Sequence, residues 1–241
     1  MAQIINREGT MIKCKQHILL LILNIFLVVS AQAQSAVSIQ FGTGIPLSDF
    51  GSEDLSKEGA IGAGVGIDLG VKYFQHFPGR NIGFFTSLDI QYNQLTTDAA
   101  INWEEDLLDQ GATLVAVNRY KLLNIPIGLG LQYHQPIGQS NAFFISSGVT
   151  LNVFKLSNYK VLLGDFSTKG KFNWTQNVGF RVGGGFKVSE NFSINADYFF
   201  VKHNIPGTLE SSDVYSQDKT LFDTELDLQV NILSLTFALH F

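Results

Sequence analysis

The sequence predicts an all-β fold, an eight-stranded antiparallel up-and-down transmembrane β-barrel. Three observations lead to this prediction. Apolar and polar residues alternate with a period of two, long and short connections alternate along the chain, and aromatic residues recur near the short connections. With 45% hydrophobic and 15% charged residues, the composition is that of a folded chain.

The alternation itself defines the strands. In the second segment, for example, Ile67, Leu69 and Val71 alternate with Asp68 and Lys72. A strand with one apolar face has this period. The eight predicted strands are 36–46, 61–74, 82–95, 119–134, 142–155, 173–188, 191–203 and 228–241.

Two strands contain irregularities. Pro126 lies inside the fourth strand, and because proline cannot donate a ladder hydrogen bond, it predicts a local bulge or a gap in pairing. In the last strand, Leu228 and Val230 are apolar on the parity opposite to Leu233 and the residues after it. This change predicts a bulge near Ile232, or a strand that begins there.

The connection lengths predict which side of a membrane each end faces. The gaps 75–81, 135–141 and 189–190 are short, whereas the other four are long: 47–60, 96–118, 156–172 and 204–227. Bacterial outer-membrane barrels have short periplasmic turns, long extracellular loops and an even number of strands. We therefore expect both termini to be periplasmic and the protein to lie in the bacterial outer membrane.

Aromatic residues mark one edge of the predicted barrel. They occupy the apolar parity where each strand approaches a short turn, as expected of an interfacial girdle. A soluble barrel has no reason to align aromatic residues at one rim of its outer surface. The predicted periplasmic girdle is Tyr73, Phe84, Tyr133, Phe143, Phe186, Phe192 and Phe241.

The N-terminal segment has the features of a secretory signal peptide. Lys13 and Lys15 precede an apolar run over 18–29, and Ala31 and Ala33 form a small-residue cleavage site. We therefore predict a signal peptide over 1–33, with Met11 as a possible true start, and a barrel domain over 34–241. The predicted mature chain then contains no cysteine, because Cys14 precedes the cleavage site.

Six charged residues fall on the inward parity of the predicted strands, and an eight-stranded barrel is just wide enough for side chains to fill it. Charges in so narrow a lumen are costly unless they are paired. Because Arg181 and Asp197 are on adjacent strands, we expect them to pair. We predict a plug of paired charges, with an ion-conducting lumen as the alternative. The six residues are Asp68, Lys72, Asp89, Arg181, Lys187 and Asp197.

No motif for catalysis or cofactor binding is evident, so we expect no enzyme activity, cofactor or metal. His76, His134 and His240 fall near the periplasmic rim but on strands that are not mutual neighbours, so we interpret them as turn residues rather than metal ligands. His203 precedes Ser211, Ser212 and Asp213 without a nucleophile motif, so a lipid-modifying enzyme is the weaker alternative. The net charge of −5, together with the absence of a Lys/Arg cluster interleaved with aromatic residues, argues against a nucleic-acid binder.

Acidic residues concentrate in the predicted extracellular loops. Three of these loops, 47–60, 96–118 and 204–227, contain most of the 21 acidic residues of the chain. The stretch "NWEEDLLD" at 102–109 combines charge with apolar residues, either as a protein-docking patch or as a cation site that bridges to lipopolysaccharide. Its candidate interaction residues are Trp103, Glu104, Glu105 and Asp106.

Three short stretches suggest a family. "YKLLNIPIGLGLQY" at 120–133, "LSLTFALHF" at 233–241 and "AQAQ" at 31–34 resemble the PorT-like outer-membrane β-barrels of Bacteroidetes. The resemblance implies a small eight-stranded outer-membrane barrel. Some members of that family assist a secretion system, and there are no family catalytic residues to carry over.

The C-terminal stretch also resembles the signal that the outer-membrane assembly machinery recognises, with Leu235, Phe237, Leu239 and Phe241 as its residues. Together these observations predict a non-enzymatic barrel with a structural, adhesion or secretion-accessory role through its acidic extracellular loops. Its expected partners are outer-membrane lipid, lipopolysaccharide, the assembly machinery and a possible protein at the loops. A small porin-like passive channel for ions or solutes is the alternative function.

Overall fold

The computed structural model describes residues 35–55, 60–109, 115–138, 140–213, 215 and 219–241. The predicted signal peptide lies outside these residues. A 3-10 helix spans Ser48–Gly51 and an α-helix, α1, spans Thr97–Asp109. The strands are β1 Ser35–Pro46, β2 Gly66–His76, β3 Ile82–Gln94, β4 Val115–Val117, β5 Lys121–Pro136, β6 Ala142–Leu156, β7 Tyr159–Leu163, β8 Phe166–Phe172, β9 Thr175–Ser189, β10 Phe192–Asp213 and β11 Lys219–His240.

Eight of these strands form a closed antiparallel ring, in the order β1, β2, β3, β5, β6, β9, β10, β11 and back to β1. Phe237 in β11 lies opposite Phe41 in β1, and the N–H of Phe241 donates to Val37 O at 2.9 Å. The last residue of the chain is therefore paired. Closure leaves the barrel without a free edge.

The two ends of the barrel differ, as the connection lengths predicted. We call the end with the short connections 77–81, 137–141 and 190–191 the turn end, and the opposite end the loop end. β1 begins and β11 finishes at the turn end. Among the helices of the described residues, none has the length and apolar character needed to cross a membrane.

Apolar side chains face outward around the ring and remain exposed. Such a continuous apolar surface is far larger than the patches that soluble monomers tolerate, and it matches the lipid-facing band of a membrane barrel. Its residues include Ile39, Phe41, Ile67, Leu69, Val71, Leu88, Ile90, Ile127, Leu129, Leu131, Val149, Leu151, Val178, Phe180, Val182, Ile194, Leu235, Phe237 and Leu239.

The prediction for the start of the last strand was wrong in both of its forms. β10 and β11 pair without a register shift from Phe192 opposite Leu239 to Ser212 opposite Lys219. There is no bulge at Ile232, and the strand does not begin there. Leu228 and Val230 change parity because the interior itself changes from polar to apolar at this level, and both side chains are buried.

The connections predicted to be loops contain further structure. β7 and β8 form a hairpin within 156–172, and β8 pairs with the distal part of β10 while β7 pairs with β4. The segment 96–118 contains α1 and β4. By contrast, β2 is shorter than predicted. It begins at Gly66 rather than residue 61, and Ala63 makes only an isolated bridge to Leu95.

Pro126 produces a gap rather than a bulge. β3 and β5 pair from Ile82 to Leu88 and again from Gln91 to Gln94, with the same register on both sides of the interruption. On the other side, Pro126 remains opposite Asn152 of β6. Proline has no N–H, so the local ladder is lost without any displacement of the strand.

The interior has two layers. The turn-end half of the lumen is lined by polar and charged side chains, whereas the loop-end half is filled by an apolar core. The 3-10 helix contributes Phe50 and α1 contributes Ala99 and Ala100 to this core. Its other members include Ile61, Leu95, Leu122, Phe154, Leu156, Phe172, Val201, Ile205, Leu228, Val230 and Ile232.

Candidate functional site: the charged lumen and the loop end

Arg181 lies at the centre of the polar lumen. Its side chain is 1% exposed and makes two parallel hydrogen bonds to Asp197 of the adjacent strand. Nε donates to Oδ1 at 2.9 Å and Nη2 donates to Oδ2 at 2.7 Å. This fork-to-fork geometry is the strongest form of the Arg–carboxylate contact. The structure thus places together the two residues whose adjacent strands suggested a pair.

The same guanidinium also reaches the far wall of the barrel. Nη1 donates to Ser87 Oγ at 2.7 Å and to Asp89 Oδ2 at 3.1 Å, both on β3. Two strands, β5 and β6, separate β3 from β9 on that side of the ring. Arg181 therefore spans the lumen and connects opposite walls, a contact that adjacency on the sequence does not reveal.

Asp68 belongs to a neighbouring polar network. It accepts hydrogen bonds from Ser234 Oγ of β11 and, at 3.2 Å, from Gln91 Nε2 of β3. Gln91 Oε1 in turn accepts from Asn124 Nδ2 of β5 at 2.8 Å. Four strands are linked at this level. The three lumen carboxylates are thus all engaged by donors from other strands.

The two lumen lysines are outside these networks. Lys72 is buried, and its Nζ lies 4.5 Å from the ring centroid of Phe85 and 5.6 Å from that of Phe144. Lys187 is half-buried near the turn end. Of the six charged residues predicted to share one network, four are joined to other side chains by hydrogen bonds. The two lysines lie nearer the turn end.

The predicted girdle residues lie on the outer surface near the turn end. Several contact one another across neighbouring strands: Tyr73 and Phe84 have ring centroids 6.2 Å apart, and Phe143 and Phe186 are 4.9 Å apart. The hydroxyl of Tyr133 donates to Gln135 Oε1 at 2.8 Å. The structure places all seven residues, including Phe192 and Phe241, on outward or rim positions.

The four residues of the candidate interaction loop have different environments on α1. Trp103 packs edge-on against Tyr159 of β7 at 5.7 Å, and Glu104 Oε1 accepts a hydrogen bond from the Val117 N–H of β4 at 3.0 Å. These two side chains hold the helix against the sheet. Glu105 and Asp106 are exposed, so only these two remain available for contact with a partner.

An aromatic cavity lies beside α1, and no sequence pattern indicated it. The cavity has a volume of about 280 Å³ and is lined by Trp103, Tyr120, Tyr159 and Phe172, with Glu225 at its edge. The Tyr120 hydroxyl donates to Ile61 O at 2.5 Å, and this bond connects the residue that precedes β5 to the apolar core.

Glu210 shows that the acidic region 204–227 is partly structural. This carboxylate lies between Lys219 Nζ at 2.9 Å and Lys171 Nζ at 3.1 Å, so it joins β10 to β11 and β8. Hydrogen bonds from Lys219 and then Lys171 lower the pKa of Glu210 to about 2. An acid that was expected in a free loop therefore joins three strands.

The histidines near the turn end face the lumen, which corrects their interpretation as turn residues. The rings of His76 and His134 are 5.0 Å apart, and His134 stacks on Phe144 at 5.5 Å. Strands that are not neighbours bring them together across the narrow barrel. Within the described part of the chain, no group of three His, Cys, Asp or Glu side chains could hold a metal ion.

His203 lies in the apolar core, apart from the serines that follow it in the sequence. It is 2% exposed and stacks on Phe154 with centroids 4.9 Å apart, and neither ring nitrogen has a hydrogen-bond partner among the described residues. The Ser212 hydroxyl donates instead to Ser167 O at 3.3 Å. The described residues therefore contain no hydrogen bond from His203 that could activate a serine nucleophile.

A closed eight-strand ring with an apolar outer belt and a polar lumen defines a transmembrane β-barrel of the outer-membrane type. The family model described as outer membrane protein beta-barrel domain matches residues 20–241. The chain therefore belongs to this family, and it is a protein of the bacterial outer membrane.

Solved structures of outer-membrane proteins are similar to this chain at low identity. A major outer membrane protein from Thermus thermophilus is 14% identical, with a TM-score of 0.51 over 86% of this chain and 100% of that one. OprG from Pseudomonas aeruginosa is 15% identical, with a TM-score of 0.48 over 87% and 97% of the two chains. Ail of Yersinia pestis, solved with a heparin analogue, is 13% identical, with a TM-score of 0.43 over 87% and 99%. No curated protein sequence matches this chain.

Replacement of Arg181 by methionine should destabilise the barrel strongly. The change leaves Asp89 and Asp197 buried without their cation, and loss of one partner of a buried pair typically costs about 3–5 kcal/mol. We expect the free energy of unfolding, measured by urea titration in lipid vesicles, to fall by about this amount. The triple variant R181M/D89N/D197N should recover most of the loss. An equal loss in the triple variant would contradict the role of unpaired charge.

The loop-end sheet should be acid-sensitive through Glu210. Because its pKa in the folded protein is below the ordinary 4.5, its stabilising contribution is complete above that value and is lost as the pH falls towards about 2. Amide exchange of β8, corrected for the intrinsic pH dependence, should therefore accelerate over this range. In E210Q the fast exchange should be present at every pH. Identical pH profiles in the two proteins would refute this role of Glu210.

Proposed function

We propose that this protein is a non-enzymatic barrel whose lumen is closed and whose role, structural, adhesive or secretion-accessory, is performed by its loop-end surface. The main observation that supports this proposal is that side chains close the lumen at two levels. Arg181 bridges opposite walls in the polar half, and the apolar core with Phe50 and α1 fills the other half. Neither level leaves a path suited to hydrated solutes.

We place the loop end outside the cell and both termini in the periplasm. The short turns, and the first and last strand ends beside them, support this orientation. The proposed processing removes residues 1–33, with Met11 as a possible start, and leaves a barrel domain over 34–241. Within the outer-membrane barrel family, we assign the chain to the PorT-like group of Bacteroidetes on the stretches at 120–133 and 233–241.

The outer surface supports lipid and lipopolysaccharide as the surrounding partners. Its apolar band provides the hydrocarbon contact, and the aromatic residues near the turn end provide the interfacial girdle on the periplasmic side. Glu105 and Asp106 project from α1 at the opposite end. We propose these two acids as the contact point for an extracellular protein partner or a bridging cation.

Closure of the lumen can be tested by conductance. In a planar bilayer, wild-type protein should show no large, steady single-channel current, because the Arg181 bridge and the apolar core both obstruct the lumen. The variant R181A/D89A/D197A removes the charged bridge across the lumen but leaves the apolar core intact, so it should also show no steady current. A porin in the same bilayer serves as the positive control. Steady current through wild-type protein would favour the passive-channel alternative instead.

The partner surface on α1 can be tested by charge reversal. With a photo-crosslinker at the exposed Leu108, wild-type protein on intact cells should give a defined adduct, and E105K/D106K should lose it. D223K/D227K, at exposed positions of β11 that do not line the cavity beside α1, provides a matched control that should retain the adduct. If the adduct survives E105K/D106K unchanged, α1 is not the partner surface.

The assembly signal predicts an effect on biogenesis. Phe241 is 76% exposed at the outer rim, and its backbone is already paired with Val37. F241S should therefore reduce the amount of folded protein in the outer membrane by impairing recognition rather than closure. Heat-modifiable gel migration measures the folded fraction, with F222S on the distal part of β11 as the control. Equal folded amounts in F241S and wild type would exclude the signal.

A further inference from the structure

The turn-end half of the lumen contains a cavity that the Arg181 network does not use. Its volume is about 90 Å³, and seven of the eight barrel strands, all except β3, contribute to its wall. Five of its thirteen lining residues are lysine or histidine: Lys72, His76, His134, Lys187 and His240. The cavity therefore lies within the closed ring and is not a surface groove.

None of the basic side chains that line this cavity forms an ion pair with a described residue. None of the described residues that line it is a carboxylate. The acids deeper in the lumen are engaged elsewhere, because Asp89 and Asp197 bind Arg181 and Asp68 binds Ser234 and Gln91. Glu190, in the turn between β9 and β10, is exposed and does not line the cavity. Asp89 and Asp197 attract Lys72 through space but contact Arg181 instead, so the Lys72 ammonium has no direct anionic partner among the described residues.

Lys72 is the buried cation of this cavity, and no carboxylate contacts it among the described residues. It is only 5% exposed, and among the described residues its Nζ has no hydrogen-bond acceptor, only the rings of Phe85 and Phe144. A cation–π contact offsets part of the desolvation cost of a buried ammonium, but less than an ion pair does. The structure thus holds a nearly buried cation beside a cavity lined by further donors.

Neutral polar groups complete the lining, and several of them are engaged with one another. The Ser193 hydroxyl donates to Asn195 Oδ1 at 2.9 Å, and Ser193 Oγ is also 2.9 Å from His240 Nε2. Gln132 contributes an amide that contacts His134 Nε2 at 2.6 Å. The donors that the cavity offers to a ligand are therefore chiefly the ammonium groups of Lys72 and Lys187 and the second N–H of the Gln132 amide, which are of the kinds that proteins use for oxyanions.

We propose that this turn-end cavity binds a small tetrahedral oxyanion of the phosphate or sulfate class, with Lys72 as its principal charged ligand. The volume of about 90 Å³ is well below that of pockets for organic ligands and suits a small inorganic ion. The site is independent of the proposed extracellular role, because it lies at the opposite end of the barrel.

Histidine NMR tests the site directly. Full-length mature protein with ¹⁵N-labelled histidine in maltoside micelles would be titrated with sodium phosphate at constant ionic strength. We expect saturable shifts of His76, His134 and His240. His203, in the loop-end core, provides an internal control and should not move. Shifts that never saturate, or that His203 shares, would overturn the proposal.

Variants separate the site from general charge effects. K72M should weaken phosphate binding by about tenfold or more, as expected for loss of a charge-assisted contact. K202M removes an exposed lysine of β10 and should bind as wild type does. If K72M fails to fold, as judged by heat-modifiable migration, K187Q provides the same test from β9. Unchanged affinity in the folded variants would disprove the assignment.

A second arm distinguishes a free ion from a lipid headgroup. The histidine spectrum in phosphatidylcholine nanodiscs without added phosphate should match the spectrum in maltoside, and phosphate should then shift both equally. If the nanodisc spectrum is already shifted and phosphate has no further effect, a lipid phosphate occupies the cavity and the free-ion proposal is wrong.

Discussion

The structure depends on one constraint, that a backbone within hydrocarbon must satisfy its own hydrogen bonds. The pairing of β11 with β1 meets it, from Ser38 opposite His240 to Pro46 opposite Ile232. Without that pairing, two strand edges would face lipid with unpaired N–H and C=O groups. The alternation of side chains, the short turns and the paired terminal residue all follow from the need to close this ring.

Closure creates an interior that must then be filled. In the turn-end half, side chains of opposite charge and their neutral neighbours fill it, and in the loop-end half a hydrophobic core does so. The division explains why β10 and β11 extend beyond the membrane belt. Their distal halves have inward apolar residues such as Val201 and Leu228, and they carry polar outward residues such as Asp227. The same two strands thus belong to a membrane barrel and to a water-exposed sheet.

Much of the fold could be predicted from the sequence, because lipid outside and polar groups inside impose a strict period of two on each crossing strand. The prediction failed where that contrast disappears. Ile61 and Ala63 alternate like strand residues but belong to the core, and β7 and β8 lie in a segment too short and mixed to show a period. For the lumen, adjacency of β9 and β10 indicated the pair of Arg181 and Asp197. It could not indicate Asp89, because contacts across the lumen depend on the diameter of the ring rather than on strand order.

The span of Arg181 across the lumen has a consequence for the time course of folding. Its two carboxylate partners are 92 and 16 positions away in sequence, so one contact is available within a β-hairpin and the other only when distant walls meet. Contacts between remote positions form late because the intervening chain must first be ordered. Arg181 and Asp197 can pair within the β9–β10 hairpin, whereas the contact with Asp89 requires the sheet of β3, β5, β6 and β9 to curl until its outer strands face each other across the lumen.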